Sequence, residues 1–160
     1  MSYLYHLISY LPLKILYSFS TFISTFLPFF YRGSLVRKNL MKSFPDMPEE
    51  QMKKIYYKFY INFCDLFFET IKSYSISESE LRERVNFKNF REISDKLNNN
   101  KKILVLASHQ CNWEWLLLAS QLNLTKPLHV IYKTISDKKF DKIMMYSRSR
   151  FGSMLIDSKK

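Results

Sequence analysis

Cysteine, glycine and repetitive tracts are all scarce in this chain of 160 residues. Cys64 and Cys111 are the only cysteines, which excludes a scaffold built on disulfides. Low-complexity tracts are absent and 47% of the residues are hydrophobic, so the chain can bury a core and is not intrinsically disordered. Glycine occurs only 2 times, whereas average usage would give roughly eleven in this length. The length alone fits one domain of ordinary size.

Acidic residues are also in deficit, with 14 Asp and Glu against 25 Lys and Arg and a formal net charge of +11. Aromatic residues make up 17% of the chain. A basic, aromatic-rich chain favours an anionic partner, which could be nucleic acid, an acidic protein or a membrane surface. The Lys and Arg residues lie beside an apolar segment and are not gathered on one helix with base-stacking aromatics. We therefore predict no nucleic-acid partner.

Charge is absent from Ile15 to Tyr31, near the N-terminus. This run lacks the small-x-small cleavage site of a secretory signal peptide. Its apolar residues fall on every side of a helical wheel, which suits lipid better than the core of a soluble domain. We predict residues 1–31 to be a membrane anchor, either spanning or interfacial. Basic residues follow the run, so the positive-inside rule predicts that the rest of the chain is cytoplasmic.

Residues 32–84 show helical periodicity and predict a helical segment. Apolar residues share one stripe over 34–44, and they repeat at three- and four-residue steps over about 48–74. Ser77 precedes a third, short helix that ends near Arg84.

From residue 85 the pattern changes to one that predicts an α/β fold. Two unbroken apolar runs, 103–107 and 128–132, are typical of strands buried on both faces. Further strands are predicted over 85–87 and 153–157, and helices over 92–98, 113–122 and 138–151. Strand, helix, strand, helix, strand predicts a mostly parallel sheet flanked by helices. Three core strands are too few for a complete sheet, so we expect residues 85–160 to be the first part of a larger α/β domain.

The best candidate for catalytic residues follows the first buried run. Ligands bind at the carboxyl ends of parallel strands, where His109 lies, and Glu114 falls in the first turn of the next helix. A neutral imidazole can take a proton from a hydroxyl near pH 7 when a carboxylate orients it. Alternatively, Glu114 only complements the helix dipole. A metal site on His109, Cys111 and Glu114 is the weaker alternative, because no second ligand cluster appears, and we predict no metal and no cofactor.

The block SHQCNWEW (108–115) resembles the H-x-x-x-x-E segment, often written GHxGNWEW, of bacterial lipid A biosynthesis acyltransferases of the lauroyl- and myristoyl-transferring type. The segment YRGSLVRKNLMKSFPDMPEEQMKKIYYKFY (31–60) is similar to the part of that family after the membrane anchor. VIYK (130–133) and RSRFGSMLI (148–156) also resemble family blocks. The similarity runs from about residue 3 to residue 157.

The resemblance implies a glycerolipid-acyltransferase-like fold and an enzyme of the bacterial inner membrane. Such an enzyme moves a fatty acyl chain from acyl carrier protein to a hydroxyl of an anionic glycolipid, a lipid A precursor. His109 would be the base and Glu114 its orienting carboxylate. Arg148 matches the position expected to face the site, where it could steady an oxyanion or a phosphate, with Arg150 as the neighbouring alternative. A basic helix end favoured by the helix dipole is the other interpretation of both arginines.

The chain departs from the family pattern at a few positions. Ser108 and Cys111 stand where the family commonly has glycine, and Lys133 stands where many members have arginine. Family members also run well beyond this chain, which leads us to expect an N-terminal part of such an enzyme. The alternatives are a catalytically inactive membrane-bound fragment, or an acyltransferase for another lipid acceptor.

Overall fold

The computed structural model describes residues 2–98 and 102–159. In these residues the chain forms eight helices and two strands. Their bounds are α1 (Ser2–Tyr10), α2 (Leu13–Phe30), α3 (Gly33–Ser43), α4 (Glu49–Lys72), α5 (Glu78–Arg84), α6 (Phe90–Asn98), α7 (Trp113–Leu122), β1 (His129–Tyr132), α8 (Lys138–Ser149) and β2 (Met154–Asp157). The chain divides into two compact units: Leu11–Glu69, and α1 together with the chain from Thr70 onward. The division predicted at residues 31 and 84 stays a prediction.

The unit Leu11–Glu69 turns the polar side of α2 inward and its aromatic side outward. Ser20 is buried and donates a hydrogen bond to Asp65 of α4, and the Tyr17 hydroxyl donates to Glu69 at 2.7 Å. The side chains exposed along α2 include Phe19, Phe22, Phe26, Phe29 and Phe30. This is the reverse of a helix packed on a soluble core. By length and composition α2 could cross a membrane.

The turn between α2 and α3 depends on one glycine. Arg32 is left-handed, with φ of 52°, and Gly33 begins α3. A Cβ at Gly33 would collide with the carbonyl oxygen of Pro28 and would lie 2.8 Å from the Tyr56 hydroxyl. Glycine therefore permits the close approach of the two helices at this point.

The other unit contains the two strands of the described chain, and these form a parallel pair. His129 of β1 is opposite Met154 of β2, and Tyr132 is opposite Asp157. Helix α8 is the crossover between them, as expected for a parallel pair. The unit is mostly helical with a short parallel sheet, which is consistent with an incomplete α/β fold.

Most of the predicted helices are confirmed. Helix α7 has the predicted bounds, α6 begins two residues before the predicted start, and α8 ends two residues before the predicted end. Gly152, with φ of 99°, follows α8 in a conformation that disfavours a side chain. The Ser77 hydroxyl accepts the Glu80 N–H at 3.1 Å and caps α5 as predicted. The predicted stop of α6 at residues 99–100 lies outside the described residues.

Two predicted strands are wrong. Residues 103–107 form no strand, and Leu104 and Leu106 are 82% and 89% exposed. Residues 85–87 form no strand either. Strand β1 is confirmed, but alternate residues are exposed, so it is not buried on both faces. An unbroken apolar run becomes a buried strand only where neighbouring strands and covering helices exist, and within residues 2–98 and 102–159 none pairs with 103–107.

Candidate active site

The connection that enters α7 has a specific backbone shape. Cys111 is left-handed, with φ of 50°, a conformation that glycine adopts without cost and other residues rarely adopt. Asn112 is the N-cap of α7, and its side-chain oxygen accepts the Trp115 N–H at 2.9 Å. The turn and the cap together fix where α7 begins, and so where Trp113 and Glu114 point.

Glu114 lies in the first turn of α7 and is buried. Arg148, near the end of α8, donates from Nη2 to Glu114 Oε1 at 2.6 Å and from Nε to Oε2 at 2.9 Å. The Trp113 indole N–H donates to the same Oε1 at 3.2 Å. Two hydrogen bonds from one guanidinium fix the orientation of this carboxylate.

The ion pair also acts on the charge of Arg148. The hydrogen bond with Glu114 raises the pKa of the guanidinium, burial opposes that rise, and the negative charges of Glu114 and Asp141 add to it. Arg148 is therefore cationic at any physiological pH. Its positive charge compensates a carboxylate that would be costly to bury alone.

His109 lies on the exposed connection before α7. Its imidazole lies against the Trp113 indole, with ring centroids 4.8 Å apart and planes inclined by 51°. Among the described residues no hydrogen bond or ion pair joins this imidazole to Glu114. The structure thus brings Glu114 to Arg148 and His109 to Trp113, while the roles predicted for these residues stay predictions.

Arg150 occupies a different position from Arg148. Its Nη1 donates to the carbonyl oxygen of Ser73 at 2.8 Å, just beyond the end of α4, and its guanidinium lies 5.0 Å from the Phe151 ring centroid. A cation at a helix C-terminus satisfies carbonyls that have no partner within the helix. Arg150 therefore joins the end of α8 to the backbone at Ser73 within the same unit, and its guanidinium is engaged there.

Trp113 is absent from the site residues predicted from the sequence, although it contacts both His109 and Glu114. The pattern NWEW contains two tryptophans, and spacing alone does not separate them. The structure distinguishes the two tryptophans, because Trp115 is buried in the core, whereas Trp113 is half-buried beside His109. In the part of the chain that the structure describes, no group of three or more His, Cys, Asp or Glu residues could hold a metal ion.

A buried carboxylate paired with an arginine and an exposed imidazole both contact one indole where a connection enters α7. Comparison with protein families finds that residues 2–160 match the model described as bacterial lipid A biosynthesis acyltransferase. The chain belongs to this family, and membership implies an acyltransferase in lipid A biosynthesis. Neither the curated proteins nor the solved structures contain a match to the chain.

Proposed function

We propose that this acyltransferase moves a fatty acyl chain from acyl carrier protein to a hydroxyl of a lipid A precursor, with His109 as the base and Glu114 as its partner. The main support for this proposal is the cluster at the start of α7, where Trp113 contacts both the His109 imidazole and the Glu114 carboxylate. The reaction would take place at the cytoplasmic face of the bacterial inner membrane.

The chemistry needs one proton acceptor and one site for developing negative charge. The imidazole takes the proton of the acceptor hydroxyl as its oxygen attacks the carbonyl carbon of the acyl thioester. The carbonyl oxygen becomes an oxyanion, and collapse of this intermediate breaks the carbon–sulfur bond. The carrier thiolate then takes the proton back from the imidazolium. The exposed position of His109 supports this role, because a bulky lipid hydroxyl can reach it.

Glu114 retains the capacity to assist the imidazole. Oε1 accepts two hydrogen bonds, from Arg148 and Trp113, and Oε2 accepts one, from Arg148. A carboxylate offers about four acceptor positions, so Oε2 can accept an imidazole N–H without release of Arg148. An imidazolium that forms during the reaction would gain from this negative charge. Arg148 would hold the carboxylate in its orientation.

The membrane location is supported by α2 and by the basic residues after it. The polar contacts of α2 lie on the side facing α4, and its phenylalanines are exposed. Helix α3 then carries exposed basic side chains, which suit the phosphates of an anionic membrane surface. The same positive charge suits two acidic partners, the carrier protein and the phosphorylated glycolipid.

The test is an acyl-transfer assay on the purified 160-residue chain in detergent or vesicles. Acyl carrier protein that bears a labelled acyl chain is the donor, and either a lipid A precursor or an amino-acid lipid is the acceptor. His109→Ala and Glu114→Gln, each confirmed as folded by circular dichroism, are compared with His129→Ala, which changes an exposed histidine at the start of β1. We expect transfer to the lipid A precursor by the wild type and by His129→Ala, and a loss of at least about 100-fold in the other two variants.

Three outcomes would overturn the proposal. Undiminished transfer by His109→Ala would show that His109 is not the base. Transfer only to the amino-acid lipid would show that the acceptor is not a lipid A precursor. No transfer by the wild-type chain would instead favour a catalytically inactive membrane-bound protein.

A further inference from the structure

Trp113 contacts both of the groups to which the proposed chemistry is assigned. Its indole N–H, the one polar hydrogen of that side chain, donates to Glu114 Oε1 at 3.2 Å. The ring system lies 4.8 Å from the His109 imidazole, centroid to centroid. One rigid side chain therefore spans the distance between the imidazole and the carboxylate.

The backbone of Trp113 is itself fixed, so the indole can transmit position. Trp113 is the first residue of α7, directly after the Asn112 cap and the left-handed Cys111. The carboxylate on which it acts is restrained from its other side by Arg148. His109, in contrast, is exposed, and its imidazole makes its aromatic contact with the Trp113 ring.

We propose that Trp113 is a positioning residue for the catalytic pair: its ring orients the His109 imidazole, and its N–H directs Glu114 towards it. The proposal rests on the proposed function of His109 and Glu114. Without the ring, an exposed histidine would sample several rotamers, and only some of them present the imidazole to Oε2. Orientation of a base contributes to the rate of the chemical step and not to substrate binding.

The chain contains a matched control. Trp115 is the only other tryptophan; it is two residues away on the same helix, buried, and directed into the core. Trp113→Phe keeps a ring beside His109 and removes the N–H, whereas Trp113→Ala removes both. Trp115→Phe makes the same chemical change as Trp113→Phe at a buried core position.

The kinetic part of the test compares kcat and KM across these variants. We expect Trp113→Phe to lower kcat by roughly 10-fold, from loss of a hydrogen bond to a charged group. Trp113→Ala should lower kcat further, with KM little changed in either variant. Trp115→Phe should retain the wild-type kcat. Wild-type kcat in Trp113→Ala would overturn the proposal, and so would equal losses in Trp113→Phe and Trp115→Phe.

A spectroscopic readout tests the contact without reference to activity. In Trp115→Phe, Trp113 is the sole tryptophan, and its fluorescence reports the group that lies beside its ring. We expect His109→Gln, added to Trp115→Phe, to change the emission of Trp113, whereas His109→Gln added to Trp113→Phe, which retains only Trp115, should leave the emission unchanged. Unchanged Trp113 emission without His109, or an equal change in the Trp115 emission, would overturn the contact.

The two readouts separate this proposal from the one on which it rests. Full activity in His109→Ala would refute the proposed function, while the fluorescence comparison would still report the ring contact. Activity that needs His109 but is unaffected by Trp113→Ala would refute only the positioning role.

Discussion

The buried ion pair between Glu114 and Arg148 carries a large expected contribution to stability. The Glu114 side chain is 5% exposed and that of Arg148 is 19% exposed, with 2.6 Å between Arg148 Nη2 and Glu114 Oε1. Loss of one partner from a buried pair costs about 3–5 kcal/mol, because the other charge remains without compensation. We therefore expect Glu114→Gln and Arg148→Met each to lower the free energy of unfolding by about that amount.

A second ion pair provides a control with nearly the same contact distance. Lys54 Nζ lies 2.7 Å from Glu50 Oε1 along α4, but the two side chains are 68% and 81% exposed. Pairs of this kind contribute only about 0.3–0.5 kcal/mol. Glu50→Gln should therefore have an effect several times smaller than that of Glu114→Gln. Because the contact distance is matched, the comparison tests the combined effect of burial and of the additional hydrogen bonds to Glu114.

The assay is urea denaturation in detergent, followed by circular dichroism, for the two single variants and their double variant. Contacting residues couple by about 0.5–3 kcal/mol, so the double variant should lose well under the sum of the single losses. Additive losses would refute the coupling inferred from the geometry. Equal effects of Glu50→Gln and Glu114→Gln would refute the part assigned to burial and to the additional hydrogen bonds of Glu114.

Three further predictions follow from single residues. Cys111→Gly should stabilise the fold by up to about 1 kcal/mol, because φ of 50° strains a side chain but not glycine; a loss of stability in urea denaturation would contradict this. A maleimide should label the exposed Cys111 of the folded protein much faster than the buried Cys64, as peptide mapping can measure; equal labelling rates would argue against that difference. The Phe140 and Lys139 N–H groups lower the pKa of Asp137 below its ordinary value of 3.8. The stability gained from this is present above pH 3.8 and is lost as the pH falls through the lowered pKa. Asp137→Asn should therefore show a shallower acid unfolding curve. An unchanged curve would contradict the part assigned to Asp137.

The helices could be predicted from the sequence because their signals are local. The bounds of α7 follow from an N-cap asparagine and an apolar stretch, and α8 ends close to a glycine. Both features act within a few residues of where they lie. The parallel pairing of β1 with β2 likewise follows from the strand–helix–strand order.

The strand predicted over 103–107 failed for a nonlocal reason. Its apolar residues indicate the environment that suits the segment, but they do not supply the neighbouring strands that create it. In the described chain Leu104 and Leu106 are exposed instead. A hydrophobic pattern indicates that a segment is suited to burial, and only the tertiary structure determines whether the segment is buried.

The contacts within the candidate site could not be predicted from the spacing of residues in the sequence. Glu114 and Arg148 are 34 residues apart, and nothing local to either residue indicates that they pair. Position after an apolar run made His109 and Glu114 catalytic candidates, and the resemblance to the family supported them and added Arg148. The part assigned to Trp113 needed the positions of both of its neighbours.

Chemical rescue tests the central claim, that His109 is the base of an acyl transfer, most directly. His109→Gly leaves an opening on an exposed connection, where imidazole from solution can take the place of the lost side chain. We expect acyl transfer from acyl carrier protein to the lipid A precursor to be lost in His109→Gly and to return in proportion to added imidazole. Transfer at the wild-type rate without imidazole, or a variant that stays inactive across the whole imidazole series, would contradict the account.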